Sequence, residues 1–332
     1  MSQFACGISI GNIRLPNRAF LAPMAGITDR AMRECATRFG AGMVVSEMIA
    51  SAALGTGQAE MLRKTHKSEG LPHVIQLAGC EAHWLEVGAK IAQDAGADII
   101  DINLGCPSKR VTNGFAGSAL MRVPDQALRL IEATVKATTL PVTVKMRLGW
   151  DDDNLNAADI ARRAEEAGVQ MITVHGRTRQ QFYKGDARWQ LVRPVKDAVS
   201  VPLVVNGDIT SFDAAQKALQ LSGADAVMIG RGAQGQPWLV GQIGAQLAGA
   251  AVIEAPKRQD LLNHIFAHYE AILSDYGTEL GIRVARKHLG WYLDVIGQTD
   301  ADLRRPIMTA ETTDTVYQRL PELVLESWGK AA

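Results

Sequence analysis

The sequence predicts an α/β protein: a (β/α)8 TIM barrel over residues 1–248, followed by a smaller all-helical domain over residues 249–332. Three observations carry this reading. Eight Val- and Ile-rich runs recur at intervals of roughly thirty residues and scarcely alternate with polar residues, as parallel strands buried on both faces do. Several helical stretches between them stop at a glycine, a common residue just past a helix end. After residue 229 no further run of this kind occurs, and from residue 257 the chain reads as helix. With 332 residues, 47% hydrophobic and 21% charged, the chain has the length and composition for both parts.

Taken in order, residues 8–10 and 13–15 flank Gly11-Asn12 and predict a hairpin with a two-residue turn, placed to cap the barrel floor. Strands are expected at 19–22, 43–46, 74–77, 99–103, 142–146, 171–175, 203–206 and 226–229. Helices are expected at 85–95 before Gly96, at 157–167 before Gly168, and at 212–221 before Gly223. The interval from Asn103 to Val142 is too long for one unit. It holds an extra stretch, residues 104–123, before a helix that starts at Pro124. Long loops in compact domains are usually functional or disordered, and in a barrel this one follows a strand onto the C-terminal face, where active sites are built. Residues 236–247 are the expected last barrel helix, and 249–256 a linker. Beyond it, Leu261, Leu262, Ile265, Phe266, Tyr269, Ile272 and Leu273 keep a 3.6-residue apolar stripe up to Gly277. Further helices are expected at 281–295 and 311–328.

Lys plus Arg number 35 and Asp plus Glu number 35, which excludes a protein that coats nucleic acid through bulk charge but not one with a local basic patch. No apolar stretch approaches a membrane span or a signal peptide, and no metal-ligand spacing stands out, so neither a membrane nor a metal partner is expected. The four cysteines, Cys6, Cys35, Cys80 and Cys106, form no Cys-x-x-Cys pair. They fit a reduced, cytoplasmic protein rather than a zinc ribbon or disulfide framework.

The residues that end barrel strands face the active site. Here they are Pro23-Met24-Ala25, Glu47, Gln76-Leu77, Asn103, Lys145, His175, Asn206-Gly207-Asp208 and Gly230-Arg231. The last two strands lead into glycine turns, and these two loops often form a phosphate cradle of backbone N–H groups, to which Arg231 can add charge. Gly230 to Gly235 also matches G-x-G-x-x-G, but that fingerprint opens a βαβ unit and no strand follows this one. Lys145 at a strand end can form a Schiff base, hold a ligand anion, or pair with a neighbouring carboxylate. Cys106 lies three residues past Asn103 on the long loop, whereas Cys35 falls in a helical pattern and Cys80 at a helix start.

Five segments together resemble one family. Leu21-Ala22-Pro23-Met24-Ala25-Gly26-Ile27-Thr28-Asp29 and Asp101-Ile102-Asn103-Leu104-Gly105-Cys106-Pro107 are similar to the opening and catalytic-loop motifs of the tRNA-dihydrouridine synthases. Val174-His175-Gly176-Arg177-Thr178, Asn206-Gly207-Asp208-Ile209 and Met228-Ile229-Gly230-Arg231 are similar to three more. Residues 283–288 with Trp291-Tyr292 look like the bacterial subgroup B, for which the resemblance suggests position 17 of the tRNA D-loop. The resemblance implies an enzyme with bound FMN that reduces uridine in the D-loop of tRNA, with NADPH as electron donor; a cytoplasmic monomer is the accompanying expectation. It places Pro23, Met24 and Ala25 against the isoalloxazine, Gln76 and Lys145 at its polar edge, and His175, Asn206, Gly207, Asp208, Gly230 and Arg231 at the phosphate or its approach. It makes Cys106 the proton donor and gives Asn103 to the target uracil.

The chemistry agrees. A free thiol has a pKa near ~8.5 and is mostly protonated at pH 7, so a cysteine is a competent acid towards carbon. The reacting base must leave the tRNA interior, and contacts elsewhere must offset that cost. Arg283, Arg286 and Lys287 sit at i, i+3 and i+4 on one helix face and are the expected phosphate contacts, with Arg304-Arg305 and Lys109-Arg110 as further groups. From Lys257 on the chain carries nine Lys and Arg against eleven Asp and Glu, so the attraction of this part to RNA is local. Three other readings stay open on residues alone: a free-pyrimidine reductase or dihydroorotate dehydrogenase-like enzyme sharing the flavin barrel, which leaves the helical domain without a purpose; an aldolase-type barrel using Lys145; and a tRNA-binding protein whose barrel is structural, which leaves the Cys106 constellation without a purpose.

Overall fold

The computed structural model describes residues 7–327, so Cys6 and Trp328 lie outside the described residues. The hairpin forms as β1 (Ser9–Ile10) and β2 (Ile13–Arg14), with Gly11 at φ +58 in its turn. The barrel strands follow as β3 (Ala19–Leu21), β4 (Met43–Val44), β5 (Ile49–Ala50), β6 (Val74–Ala78), β7 (Ile99–Leu104), β8 (Val142–Arg147), β9 (Met171–His175), β10 (Leu203–Asn206) and β11 (Ala226–Ile229). They pair in parallel around a ring, from β3 on β4 to β11 back on β3. The expected strand at 43–46 needs correction. It is interrupted: β4 pairs with β3, Val45 bridges to Val74, and only β5 pairs with β6. At the break the Ser46 hydroxyl replaces a ladder partner, accepting the Gln76 N–H at 3.0 Å. Two strand pieces thus occupy one place in an eight-membered barrel.

Helices cover the outside as expected of a parallel sheet. Asp29 caps α1 (Arg30–Arg38) by accepting the Met32 N–H, and Ser211 caps the helix Phe212–Ser222, which ends on left-handed Gly223. Two short helices between β5 and β6, Ser51–Gly55 and Ala59–Lys64, were not expected from periodicity, because each is under two turns long. The long interval after β7 is not a bare loop either: it holds a helical turn, Lys109–Thr112, and a 3₁₀ segment, Gly117–Arg122, before the helix Pro124–Ala137.

Inside the ring, Phe20, Met43, Val74, Ile99, Met171, Val204 and Ala226 form a buried lower layer, closed underneath by Ile10 and Leu15 of the hairpin. Above it the inward positions turn polar. Register pairs Gln76 with Asp101, Asp101 with Thr143, Asn103 with Lys145, and Asn206 with His175. The strands therefore alternate in their upper halves, contrary to the unalternating pattern expected, and this polar layer floors the site.

The last barrel helix spans Trp238–Ala248, and the next begins at Arg258. Residues 258–327 form four helices: Arg258–Tyr276, Thr278–Val295, Ala301–Met308 and Thr313–Ser327. The third, with Pro306 inside it, was not expected. Its first turn is held by the Asp300 side chain, which accepts the Asp302 and Leu303 N–H groups. The apolar stripe from Leu261 to Ile272 packs a separate core with Ile282, Leu289, Leu293 and Val324, and this core takes in Ala31 of α1 and Trp238 from the barrel side. The helical part is thereby seated beside the β3 loop, where the site opens.

Candidate active site

A cavity of about 730 Å³ opens on the C-terminal face of the barrel. Pro23, Met24, Ala25, Gln76, Asn103, Cys106, Lys145, His175, Asn206, Gly207, Asp208, Gly230 and Arg231 all line it. These residues lie up to about two hundred positions apart in sequence and converge because each ends or follows a barrel strand. Arg283, Arg286 and Lys287 do not line it.

The polar floor is one connected network. Thr143 Oγ1 and Gln76 Nε2 donate to the two oxygens of Asp101 at 2.6 and 2.7 Å. Burial raises the Asp101 carboxyl above its ordinary range, and these two donors oppose the rise. Gln76 Oε1 then accepts from Asn103 Nδ2 at 2.8 Å, and Asn103 Oδ1 accepts the Gly105 and Cys106 N–H groups at 3.1 and 2.9 Å. The Cys106 carbonyl is held from the other side by Ser118, through its N–H at 3.1 Å and hydroxyl at 2.8 Å. Gly117, at φ +60, lies where a Cβ would come 2.8 Å from that carbonyl, so only glycine lets the loop close on Cys106. Cys106 is thus oriented by backbone bonds at both ends while its side chain lines the cavity. Cys35 is buried in α1, where loss of hydration pushes its thiol up to about 12, and neither it nor Cys80 lines the cavity.

Cations dominate the walls. Lys145, Arg147, Arg177 and Arg231 line the cavity with Asp208 as the one carboxylate among its described lining residues. Lys145 Nζ donates to Asn206 Oδ1 at 3.1 Å, and burial together with Arg147 lowers it to about 8, against the pull of Asp101 and Cys106. Asn206 Nδ2 in turn donates to the Met228 carbonyl. Burial, then Arg147, Lys145, Arg177 and Arg231, keep His175 well below the usual histidine range, so it is neutral at pH 7. Arg177 Nη1 stands 3.2 Å from His175 Nε2. A guanidinium only donates, so this contact makes Nε2 the acceptor and leaves the ring proton on Nδ1.

Asp208 sits in left-handed backbone, φ +52, and its oxygens take Arg177, the Ala187 N–H and, at 3.5 Å, Arg231. Its carboxylate therefore positions arginines. Gly207, at φ +117, would place a Cβ 2.8 Å from both His175 and Ala187. At Gly230 the nearest protein atom to a built Cβ is Met24 Sδ at 3.7 Å, so the space above it belongs to the cavity.

The Pro23-Met24-Ala25 turn is tied by the Thr28 hydroxyl, which accepts the Met24 N–H at 2.8 Å, and by Glu47 Oε1, which accepts the Gly26 N–H at 2.6 Å. Lys287 Nζ reaches this turn, 3.5 Å from where a Cβ on Gly26 would stand. Arg286 does otherwise: its guanidinium donates to the Thr309 and Ala310 carbonyls and caps the end of the helix Ala301–Met308. Arg283 is exposed and pairs with Glu279, while Arg304 and Arg305 pair with Asp294 and Asp302.

Sequence reasoning did not single out Arg147, whose Nε donates to the Gly105 carbonyl and whose Nη1 donates to Thr178 and Phe182, nor the network members Asp101 and Thr143. All three share the period-two phase of Gln76, Asn103 and Lys145 along their strands, and that phase was the available signal. Phe182 and Tyr183, also in the lining, carry no motif of their own.

Fold and site together define a (β/α)8 barrel whose mouth offers a cationic, glycine-lined cavity with one oriented thiol. Among solved structures, the fold resembles histamine dehydrogenase from Rhizobium sp. 4-9, with TM-score 0.53 and 17% identity over 70% of this chain and 46% of that one. It also resembles a 2-naphthoyl-CoA reductase, with TM-score 0.58 and 15% identity over 73% of this chain and 52% of that one. The dihydrouridine synthase (Dus) family matches residues 20–328, and the chain belongs to that family. It is 54% identical over 305 residues to a probable tRNA-dihydrouridine synthase of Rhizobium leguminosarum bv. phaseoli, covering 92% of this chain and 94% of the relative. It is 44% identical over 287 residues to tRNA-dihydrouridine synthase B of Pseudomonas aeruginosa, covering 86% of each. Among the described residues no group of three or more His, Cys, Asp or Glu is placed to hold a metal ion, and no helix is long and apolar enough to cross a membrane.

Proposed function

We propose that this protein reduces uridine to 5,6-dihydrouridine in the D-loop of tRNA, with bound FMN as the redox group, NADPH as electron donor and Cys106 as the acid. The observation that carries the reading is the placement of Cys106, oriented by Asn103 and Ser118, in the same cavity as buried Lys145 and the open space above Gly230. Membership of the dihydrouridine synthase family supplies the substrate class.

The residues present fit a flavin mononucleotide. A dianionic phosphate needs donors without side-chain obstruction, and Gly207 and Gly230 offer backbone free of Cβ atoms beside the Arg231 cation. Met24 and Ala25 offer an apolar wall, and Lys145, with one of its protons on Asn206, has others left for an anionic ring edge. When bound, FMN supplies hydride-transfer chemistry that no side chain here can perform.

The chain's own part is binding and proton delivery. Saturating the C5–C6 bond of uracil requires a hydride equivalent at C6 and a proton at C5. The Cys106 thiol donates that proton, its S–H bond breaking as the C5–H bond forms, and solvent restores it between turnovers. Neutral His175 donates from Nδ1 without adding a charge. Asn103 has both lone-pair directions of its oxygen taken by backbone N–H groups, so only its second amide proton is left for a uracil carbonyl.

The test is direct. Purified protein should release FMN on denaturation and, with NADPH and unmodified tRNA, form dihydrouridine that maps to the D-loop. Release of FAD, or conversion of free uracil but not of tRNA, would favour a flavin-barrel reductase of small pyrimidines instead.

A further inference from the structure

The catalytic loop carries a feature that the reaction chemistry does not use. Phe115 is 71% exposed, the most exposed large apolar residue described, and it sits at φ +54. A bulky side chain in left-handed backbone is strained. The cause is the turn that ends the helix Lys109–Thr112. The Ala116 N–H reaches back to the Val111 carbonyl at 3.3 Å, closing a six-residue turn whose fifth residue must be left-handed. Glycine usually fills that position. Here Phe115 fills it, and the neighbouring Gly114 does not. The loop therefore holds an aromatic ring out in water at a conformational cost.

The surroundings indicate what meets it. Residues 104–122 contain Lys109, Arg110 and Arg122 and not one Asp or Glu. Arg179 brings a fourth cation, its Nη2 standing 3.5 Å from Thr112 Oγ1. Arg122 and Arg179 each lie over the Trp150 ring, 4.8 Å from its centre. Phe115 does not itself line the cavity, but it lies two residues before Gly117, which packs against Cys106, on the loop that carries the thiol. An exposed aromatic on a loop with three cations and no acid complements an unpaired nucleotide: a flat base between phosphates.

We propose that Phe115 is a stacking platform for an unpaired tRNA nucleotide flanking the reacting uridine, with Lys109, Arg110, Arg122 and Arg179 taking adjoining phosphates. It rests on the tRNA reading above and adds how the strand is gripped beside the reacting base. Stacking outside the stem also helps offset the cost of extracting that base.

The test measures binding of unmodified tRNA to the FMN-loaded enzyme, with a fully paired RNA duplex as the comparison. Phe115→Gly should weaken tRNA binding about 5- to 150-fold, the range for losing one base stack. It should leave duplex binding unchanged and unfold at no lower temperature, because glycine relieves the strained turn. Phe115→Trp should keep tRNA affinity within about threefold, since any aromatic face can stack. Wild-type affinity in Phe115→Gly overturns the proposal. So does Phe115→Trp binding as weakly as Phe115→Gly. Failure of the wild type to bind tRNA overturns both this proposal and the function it rests on, and so is told apart from the other two.

Discussion

At the scale of single residues, Cys106 and Lys145 do separable work. Cys106 is oriented through its backbone alone, so replacing its side chain leaves the loop bonds from Asn103 and Ser118 in place. Cys106→Ala is therefore expected to retain FMN and its reduction by NADPH. Oxidation of the reduced enzyme by unmodified tRNA should slow by about 10²- to 10⁴-fold, the usual effect of losing a general acid. Single-turnover mixing under exclusion of oxygen measures this, and a wild-type rate would assign the proton to another group. Cys35→Ala and Cys80→Ala should not show the selective loss. Lys145 is held near the cavity by Asn206 and is lowered to about 8, so it is still mainly protonated at pH 7. Lys145→Met keeps its length and loses its charge. FMN affinity should fall about 10- to 150-fold, the worth of a charged hydrogen bond, as read by titrating flavin fluorescence.

At the scale of elements, the helix Thr278–Val295 divides its cations between two tasks. Lys287 points at the Gly26 turn beside the cavity, whereas Arg286 satisfies carbonyls at the end of the next helix. Sequence spacing put Arg283, Arg286 and Lys287 on one face, but their side chains go to three different partners: Glu279, the Ala310 carbonyl and the Gly26 turn. Arg286→Met should cost about 1–3 kcal/mol of stability through unsatisfied carbonyls. Lys287→Gln should leave melting unchanged and reduce the salt slope of tRNA binding by up to about one unit. Thermal melts and affinities at several salt concentrations on both variants separate these outcomes. Equal effects of the two substitutions would show that the division of labour is absent. Arg283, exposed and paired only with Glu279 within its own helix, is the freer cation of the face for RNA.

At the scale of the molecule, the helical part is joined to the barrel through a core that buries three histidines. His264 Nε2 and His268 Nδ1 both meet the Tyr292 hydroxyl at 2.9 Å, and His268 packs edge-on against His288. Burial, aided by Arg38, lowers His264 to about 4. Burial, aided by Lys287, lowers His288 to about 3, and burial with its two histidine neighbours puts His268 well below its usual range. Their folded pKa values lie below the unfolded one near ~6.5. The unfolded chain thus binds protons the folded one cannot, and stability falls as pH drops below about 6.5 and continues to fall towards pH 4. The slope approaches about 1.4 kcal/mol per pH unit for each histidine. Asp29, raised to about 6 by burial, works in the opposite direction between its folded and unfolded values, because there the folded state holds the extra proton. Melting temperature against pH should therefore decline from 6.5 to 4.5, and His288→Gln should flatten the decline. A flat profile in the wild type would mean that these rings are hydrated.

Strand-sized apolar runs and glycine stops were enough, read along the chain, to call for eight strand–helix units, because a parallel sheet buried on both faces leaves that periodic trace. The strand ends, read in order, led to Gln76, Asn103, Lys145, His175, Asn206 and Gly230 in the cavity lining, since barrel topology sends them to the same face, whereas Leu77 is buried in the core and Glu47 accepts the Gly26 N–H outside the lining. The break between β4 and β5 was not legible, for it depends on a hydroxyl of Ser46 standing in for a backbone partner on β6. Nor was the task of Arg286, which is settled by carbonyls 23 and 24 residues away. The network from Asp101 through Gln76 and Asn103 to Cys106 lay half visible in the two-residue phase of its strands. What the sequence alone determined is which residues stand at strand ends and helix faces, because hydrophobic period and turn chemistry are local. Only the closed barrel and its helical neighbour decided which of their hydrogen-bonding groups are used up inside the protein and which are left to meet a ligand, because a donor's partner is set by packing across the chain.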